Sequence, residues 1–197
     1  FLLKHIFDRP NTELSNILKK GLLPKQYDLI SCMFSIHYFF DSENKLDGFI
    51  KNIVENLAPS GKVILTFMDK DLVNALFNKH KDKAIGRDIQ SNAVVWAIIC
   101  EYNRHQFDVY NKKINVFIEN TGKLITENIV DFDTLKSKLG AHNINLTESE
   151  TFKETFYKKI SDTSTILPDK EILNNLNENE MLKEFSFLNR WAIFQKS

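Results

Sequence analysis

The chain shows two kinds of hydrophobic spacing. Leu46, Phe49, Ile50, Ile53, Val54 and Leu57 recur at intervals of three and four residues, a stripe that only the 3.6-residue helical period explains, and Asp41 or Ser42 stands ahead of it as an N-cap. The stripe predicts a helix laid on a sheet and stopped by Pro59-Ser60-Gly61. Strand-length apolar runs flank it: residues 27–33 (Tyr-Asp-Leu-Ile-Ser-Cys-Met) before it, and Lys62 to Phe67 after it. A short second helix should follow, capped by Asp69 or Asp71 and carrying Leu72, Val73, Leu76 and Phe77 on its buried side. Strand, helix, strand, helix implies an α/β fold with a parallel sheet and crossover connections.

The middle of the chain reads differently. Val94 to Cys100, Gln106 to Tyr110 and Ile114 to Ile118 are rich in β-branched and aromatic residues at hairpin spacing, and Asn120-Thr121-Gly122 forms a turn before Leu124 to Val130. They predict an antiparallel insertion over about residues 92–130. Beyond it, Asp131 or Asp133 caps a helix that runs through Leu139 and ends at Gly140, and Ile144 to Phe152 alternates as a strand. An Asn-rich helical segment from about Pro168 to Phe185 and a last strand from Trp191 to Gln195 complete the pattern. No internal repeat and no Gly, Pro or Ser-rich linker divides it.

Composition narrows the function. A chain of 197 residues is about one domain long, and 43% hydrophobic content excludes intrinsic disorder. Lys and Arg number 26 against 26 Asp and Glu, so any nucleic-acid contact is expected in a groove, not over a broadly basic surface. Two cysteines, Cys32 and Cys100, without a CxxC pair, argue against a disulfide scaffold or a thiolate zinc site and point to a reducing compartment. No apolar run approaches the ~20 residues of a spanning helix, so no membrane partner is expected. The chain opens on Phe1 without an initiator Met or a targeting segment, which suggests a piece of a longer polypeptide.

The six glycines are widely scattered, so no Gly-rich loop is present to cradle phosphates, and the five histidines have no metal-ligand spacing. His37 alone is well placed for chemistry. It lies in Phe34-Ser35-Ile36-His37-Tyr38-Phe39-Phe40, just past the C-terminal end of the first strand, where open α/β sheets place ligands. From the residues alone, an aromatic-rich turn of the core is the plainer description.

The string Tyr27-Asp28-Leu29-Ile30-Ser31-Cys32-Met33-Phe34-Ser35-Ile36-His37-Tyr38, followed by an acidic helix start and Pro59-Ser60-Gly61-Lys62, resembles the mRNA cap guanine-N7 methyltransferases. Thr66-Phe67-Met68-Asp69 is similar to the segment after the family's next strand. Val116-Phe117-Ile118-Glu119 through Ile125-Thr126-Glu127-Asn128 resembles its cap-contacting insertion, above all in large cytoplasmic DNA viruses. Phe185 to Lys196 is similar to the C-termini of those viral proteins. The resemblance covers about residue 25 to the end.

It implies a class I, Rossmann-like S-adenosylmethionine-dependent methyltransferase fold with an antiparallel β insertion. The family's glycine-rich cofactor loop would lie before Tyr27, which makes this chain resemble the C-terminal two-thirds of such a domain. Residues 1–26 would be the tail of the preceding region, and 27–197 the C-terminal part. Carried over residue by residue, Phe34 stacks on the cap guanine, His37 and Tyr38 line the same pocket, and Glu127 accepts hydrogen bonds from the guanine N1 and exocyclic amine. Met33 and Ser35 fall at the cofactor site. Met33 replaces a usual Gln, so contact there would come from backbone or apolar packing. Asn128 stands where Tyr is common, and Asn189 or Trp191 stands where the family places a pocket Tyr.

The implied activity is transfer of a methyl group from S-adenosylmethionine to N7 of the mRNA cap guanine. It would act on capped or GpppN-ended mRNA, with other capping-enzyme domains or subunits as candidate partners, without a metal and without a catalytic acid or base. The implied setting is the cytoplasm, a viral factory or a virion for a viral protein, and the nucleus for a cellular one. Two other classes fit the same frame: a non-catalytic methyltransferase-like subunit of a capping complex, and a methyltransferase of another substrate class.

Overall fold

The computed structural model describes residues 26–104, 108–162 and 167–197. The expected preceding tail lies, up to residue 25, outside these residues.

The apolar run after Gln26 becomes strand β1 (Tyr27–Met33), and a 3₁₀ turn (Ile36–Asp41) follows it. Helix α1 (Glu43–Asn56) starts where Ser42 accepts the amide of Lys45, and it buries Leu46, Phe49, Ile50 and Ile53, as the stripe requires. The helix ends earlier than expected. Leu57 is already extended, and β2 runs from Leu57 to Met68 through Pro59-Ser60-Gly61, with Ser60 at φ +61°. Ala58 and Leu57 crowd Gly61 so closely that a Cβ there would meet them at under 3 Å.

Helix α2 (Lys70–His80) is capped by Asp69, whose carboxylate accepts the amides of Asp71 and Leu72. Four antiparallel strands follow: β3 (Lys83–Arg87), β4 (Val94–Cys100), β5 (Lys113–Ile118) and β6 (Lys123–Asn128). The expected strand from Gln106 to Tyr110 does not form over its described part, because residues 108–110 bend instead. The backbone of Asn111 donates to the Phe40 carbonyl and ties that bend to the 3₁₀ turn. The sheet also gains β3, which no apolar run announced. Gly86 makes β3 possible, since the Trp96 indole lies where its Cβ would stand.

Helix α3 (Phe132–Gly140) is capped by Asp131. Strand β7 (Ile144–Thr151) ends one residue short of Phe152, which opens α4 (Phe152–Ser161) through a Thr151/Glu154 capping box. The Asn-rich segment forms two helices, α5 (Leu167–Glu178) and α6 (Glu180–Ser186), with Asn179 capping the second. Strand β8 (Asn189–Lys196) closes the chain.

The main sheet has the order β1-β2-β8-β7. β1 and β2 pair in parallel, as expected, while β8 runs antiparallel to both β2 and β7, so the sheet is mixed. The architecture is α/β and Rossmann-like, with α1 and α3 packed on one face. One core cluster lies there, around Phe40, Leu46, Leu65, Phe67, Leu135 and Phe194. A second lies under the insertion sheet, where Val73, Leu76 and Phe77 of α2 meet Trp96, Ile98, Ile114 and Val116. Helix α2 therefore serves the insertion and not the main sheet.

Candidate functional site

The site forms where β1 ends. Phe34 leaves the strand at φ +50°, a left-handed conformation that a non-glycine residue adopts only under constraint. The constraint is visible: the Phe34 amide donates both to the Thr66 carbonyl (2.9 Å) and to Thr66 Oγ1 (3.1 Å) on the parallel neighbour β2. The backbone thus turns sharply out of the sheet, and the Phe34 ring is left half-exposed with its face free of the core. The Phe152 ring packs against it nearly perpendicular, ring centroids 6.0 Å apart at 77°.

The 3₁₀ turn then presents His37 and Tyr38 side by side, ring centroids 4.1 Å apart. Tyr38 is 60% exposed, whereas the His37 side chain is only 12% exposed. Glu127, near the end of edge strand β6, brings a carboxylate oxygen to 3.7 Å from His37 Nδ1, too long for a hydrogen bond. The next residue, Asn128, donates its amide to the His37 carbonyl at 3.2 Å and fastens the strand to the turn.

Burial sets the charge state here. It pushes the His37 imidazole down to about 4, so the ring is neutral at physiological pH, and it raises the Glu127 carboxyl above its usual range. His37 Nε2 and Asn128 Oδ1 are both buried and have no hydrogen-bond partner among the described residues. Such orphaned atoms are unusual in a finished core and ordinary in a site that receives a polar ligand.

Of the residues singled out from the sequence, the structure brings His37, Tyr38 and Glu127 together, with Phe34 immediately upstream on the same strand end. Met33 and Ser35 flank Phe34. Met33 is half-exposed on the open face of β1, and the Ser35 hydroxyl donates to the Met33 carbonyl. Asn189 and Trp191 are engaged elsewhere: Asn189 donates to the Ser186 carbonyl and Trp191 to Thr155 Oγ1.

Two residues had not been singled out. Thr66 is a buried polar residue in an otherwise apolar strand, a signal the sequence offered. Phe152 carried none, because its place depends on where β7 stops.

Two joints hold the insertion to the main sheet. Asp69 and Val130 form an isolated parallel β-bridge, and Lys70 Nζ meets the Asp131 carboxylate at 2.5 Å. The other Asp69 carboxylate oxygen accepts from Arg190 Nε at 2.6 Å. Among the described residues no cluster of three or more potential metal ligands occurs, and no helix is long and apolar enough to cross a membrane.

Known proteins agree on the family. Residues 6–186 match the mRNA (guanine-N(7))-methyltransferase domain. The mRNA cap guanine-N(7) methyltransferase of Candida albicans is 26% identical over 150 residues, covering 71% of this chain and 31% of that protein. A probable mRNA-capping enzyme of Acanthamoeba polyphaga mimivirus is 29% identical, over 72% of this chain and 13% of that protein. The chain therefore spans about a third or less of the length of these curated relatives. Among solved structures, an S-adenosylmethionine-dependent methyltransferase from Clostridium acetobutylicum aligns with a TM-score of 0.48 at 10% identity, over 93% of this chain and 69% of that one. With residues 6–186, most of this chain, matched by the family's domain, the chain belongs to the mRNA (guanine-N(7))-methyltransferase domain family.

Proposed function

We propose that the whole protein transfers a methyl group from S-adenosylmethionine to N7 of the guanine cap of mRNA, and that this chain supplies the cap pocket and one wall of the cofactor site. One observation carries most of the weight: Glu127, 90 residues on from His37 and in the insertion sheet, ends 3.7 Å from the ring of His37 on the 3₁₀ turn after β1. A core turn has no use for a half-desolvated carboxylate beside an unpartnered imidazole nitrogen.

Each group has a task in this reading. The Phe34 face stacks on guanine, an attraction of ~1–3 kcal/mol that strengthens as methylation makes the base cationic. The Glu127 carboxylate accepts the guanine N1–H and amine N–H, and its partial desolvation makes that recognition strong once both donors are present. His37, neutral, and Tyr38 close the side of the pocket.

Met33 and Ser35 fit a cofactor in part. The exposed apolar Met33 offers packing for an adenine, while the ribose and sulfonium ends would be held by residues other than these. When bound, S-adenosylmethionine supplies an activated methyl on a sulfonium. Guanine N7 already carries a lone pair, so the chain's residues orient the base and exclude water. No proton has to be removed, and alignment alone can supply ~7–11 kcal/mol. The finer assignments belong to the same proposal: capped RNA as the bound nucleic acid, other capping domains as partners, and residues 92–130 as an insertion dedicated to the cap.

The test is N7-methyl transfer and binding of a GpppG cap analogue by the full-length protein carrying Phe34→Ala or Glu127→Gln. Each is expected to weaken cap binding by ~1–3 kcal/mol with an unchanged melting temperature. A folded Glu127→Gln protein that binds and methylates like wild type would remove Glu127 from the pocket.

A further inference from the structure

We infer that Thr66 is a positioning residue for cap recognition: its hydroxyl holds Phe34 in the left-handed conformation that presents the ring. The inference rests on Phe34 being the stacking platform, as proposed above.

Thr66 lies near the end of β2, 4% exposed, and forms the last pair of the β1–β2 register, opposite Met33. A buried hydroxyl in such a strand needs partners, and both of its own lie across the ladder. Oγ1 accepts the Phe34 amide at 3.1 Å and donates toward Met33 Sδ at 3.9 Å. The Thr66 carbonyl already accepts that same amide at 2.9 Å, which is the ordinary continuation of the parallel ladder.

The ladder bond alone would leave Phe34 free to continue as strand. The added hydroxyl bond turns the Phe34 amide into a shared donor, aimed at two acceptors of one residue. That arrangement favours a chain leaving the sheet at φ +50°. Strain of this kind persists where surrounding contacts over-determine it, and here the second contact is a single oxygen. Phe152 then packs against the ring at a near-right angle. Backbone and ring are thus set by different residues, one in β2 and one opening α4.

The substitutions that test this separate hydroxyl from shape. Thr66→Val keeps the β-branched volume and removes the oxygen, and Thr66→Ser keeps the oxygen and removes the methyl. Strand preference ranks Val at least as high as Thr and Ser lower, so stability is expected to order as Val, Thr, Ser. Cap binding is expected to order the other way. In the full-length protein, Thr66→Val should raise the Kd for GpppG about five- to tenfold and raise KM for capped RNA with little change in kcat, while Thr66→Ser binds within about twofold of wild type. A merely structural role would make affinity follow melting temperature.

Three outcomes overturn the inference: Val binding like wild type, Ser binding as weakly as Val, or affinity tracking stability across the pair. If Thr66→Val yields no folded protein, Thr66→Ala is measured against Ser by the same criteria. Phe34→Ala runs in parallel. If it leaves GpppG binding unchanged, Phe34 is not the platform and both the reading and this inference fall. If it weakens binding while Thr66→Val does not, only the inference falls.

Discussion

The two sheets are built on opposite principles. In the main sheet, strands distant in sequence lie side by side: β2 pairs with β8 across more than a hundred residues, and helices cover one face. In the insertion sheet each strand pairs with the next, β3 to β6 in order, as a meander. The main sheet therefore holds its strand ends through long-range register, and Phe34, His37 and Tyr38 inherit that rigidity. Glu127 sits on the free edge of the meander, and its position depends on a few tethers back to the main sheet. The proposed site, drawn from both, separates a rigid platform from the group proposed to read the base.

If that division is real, the tethers matter more to the insertion than any bond inside it. Asp131 is the strongest candidate: it is buried, caps α3 through the Thr134 amide, and pairs with Lys70. The pair pulls the Asp131 carboxyl below its usual range despite burial, and raises Lys70 likewise. Asp131→Ala removes a cap and leaves a partly buried ammonium alone, which should cost about 3–4 kcal/mol in urea denaturation, with Lys70 still one-quarter exposed and so partly rescued by water. A loss under about 1 kcal/mol would show that the joint is held by apolar packing alone.

The second contrast is in pH. Glu127, on the edge of the insertion sheet, and His37, on the 3₁₀ turn after β1, share one desolvated corner. The folded value of His37, about 4, lies below its ordinary 6.5, so between those limits the unfolded chain binds more protons. Stability contributed by the neutral ring is fully present above about pH 6.5, falls as pH drops toward 4, and changes no further below that. The loss is about 2–3 kcal/mol over the window, lessened by attraction to Glu127. His37→Gln should flatten that part of the stability profile. A wild-type profile already flat between pH 6.5 and 4 would mean that the ring is solvated and the corner open.

How much of this was legible in the sequence follows the same division. The α1 stripe was readable because burial imposes a clean period on residues such as Leu46, Phe49 and Ile53, whereas β1 was read from a short apolar run of which only Cys32 is buried. The β4, β5 and β6 runs were readable too, as hairpin neighbours. What failed depended on distant partners. Residues 108–110 carry strand-like side chains, yet Val109 and Tyr110 pack on the main core beside Phe40. β3 exists because Trp96, ten residues on, covers Gly86. The reversal of β8 is a matter of topology that no local pattern encodes. In the site, Phe34, Tyr38 and Glu127 came from a family resemblance, while His37 was first marked by its place just past the end of the first strand. Thr66 was missed because its role exists only in the β1–β2 register.

The smallest expected effect probes the finest tether. Asn128 ends β6, and its amide donates to the His37 carbonyl while its own carbonyl oxygen is buried without a partner. Asn128→Ala deletes both features. Losing the bond costs about 1 kcal/mol, and removing an unsatisfied buried acceptor returns much of that, so net stability should move by less than about 1 kcal/mol. Cap affinity should respond differently. Without the amide, the end of β6 is free to drift from the 3₁₀ turn, and Glu127, the adjacent residue, drifts with it while Phe34 stays fixed by Thr66. GpppG binding should therefore weaken about fivefold, and the loss should vanish when Glu127 is already Gln. That non-additivity is the decisive reading. Equal losses from Asn128→Ala in the wild-type and Glu127→Gln backgrounds would mean that Asn128 touches the cap itself and that the edge strand needs no tether to place its carboxylate.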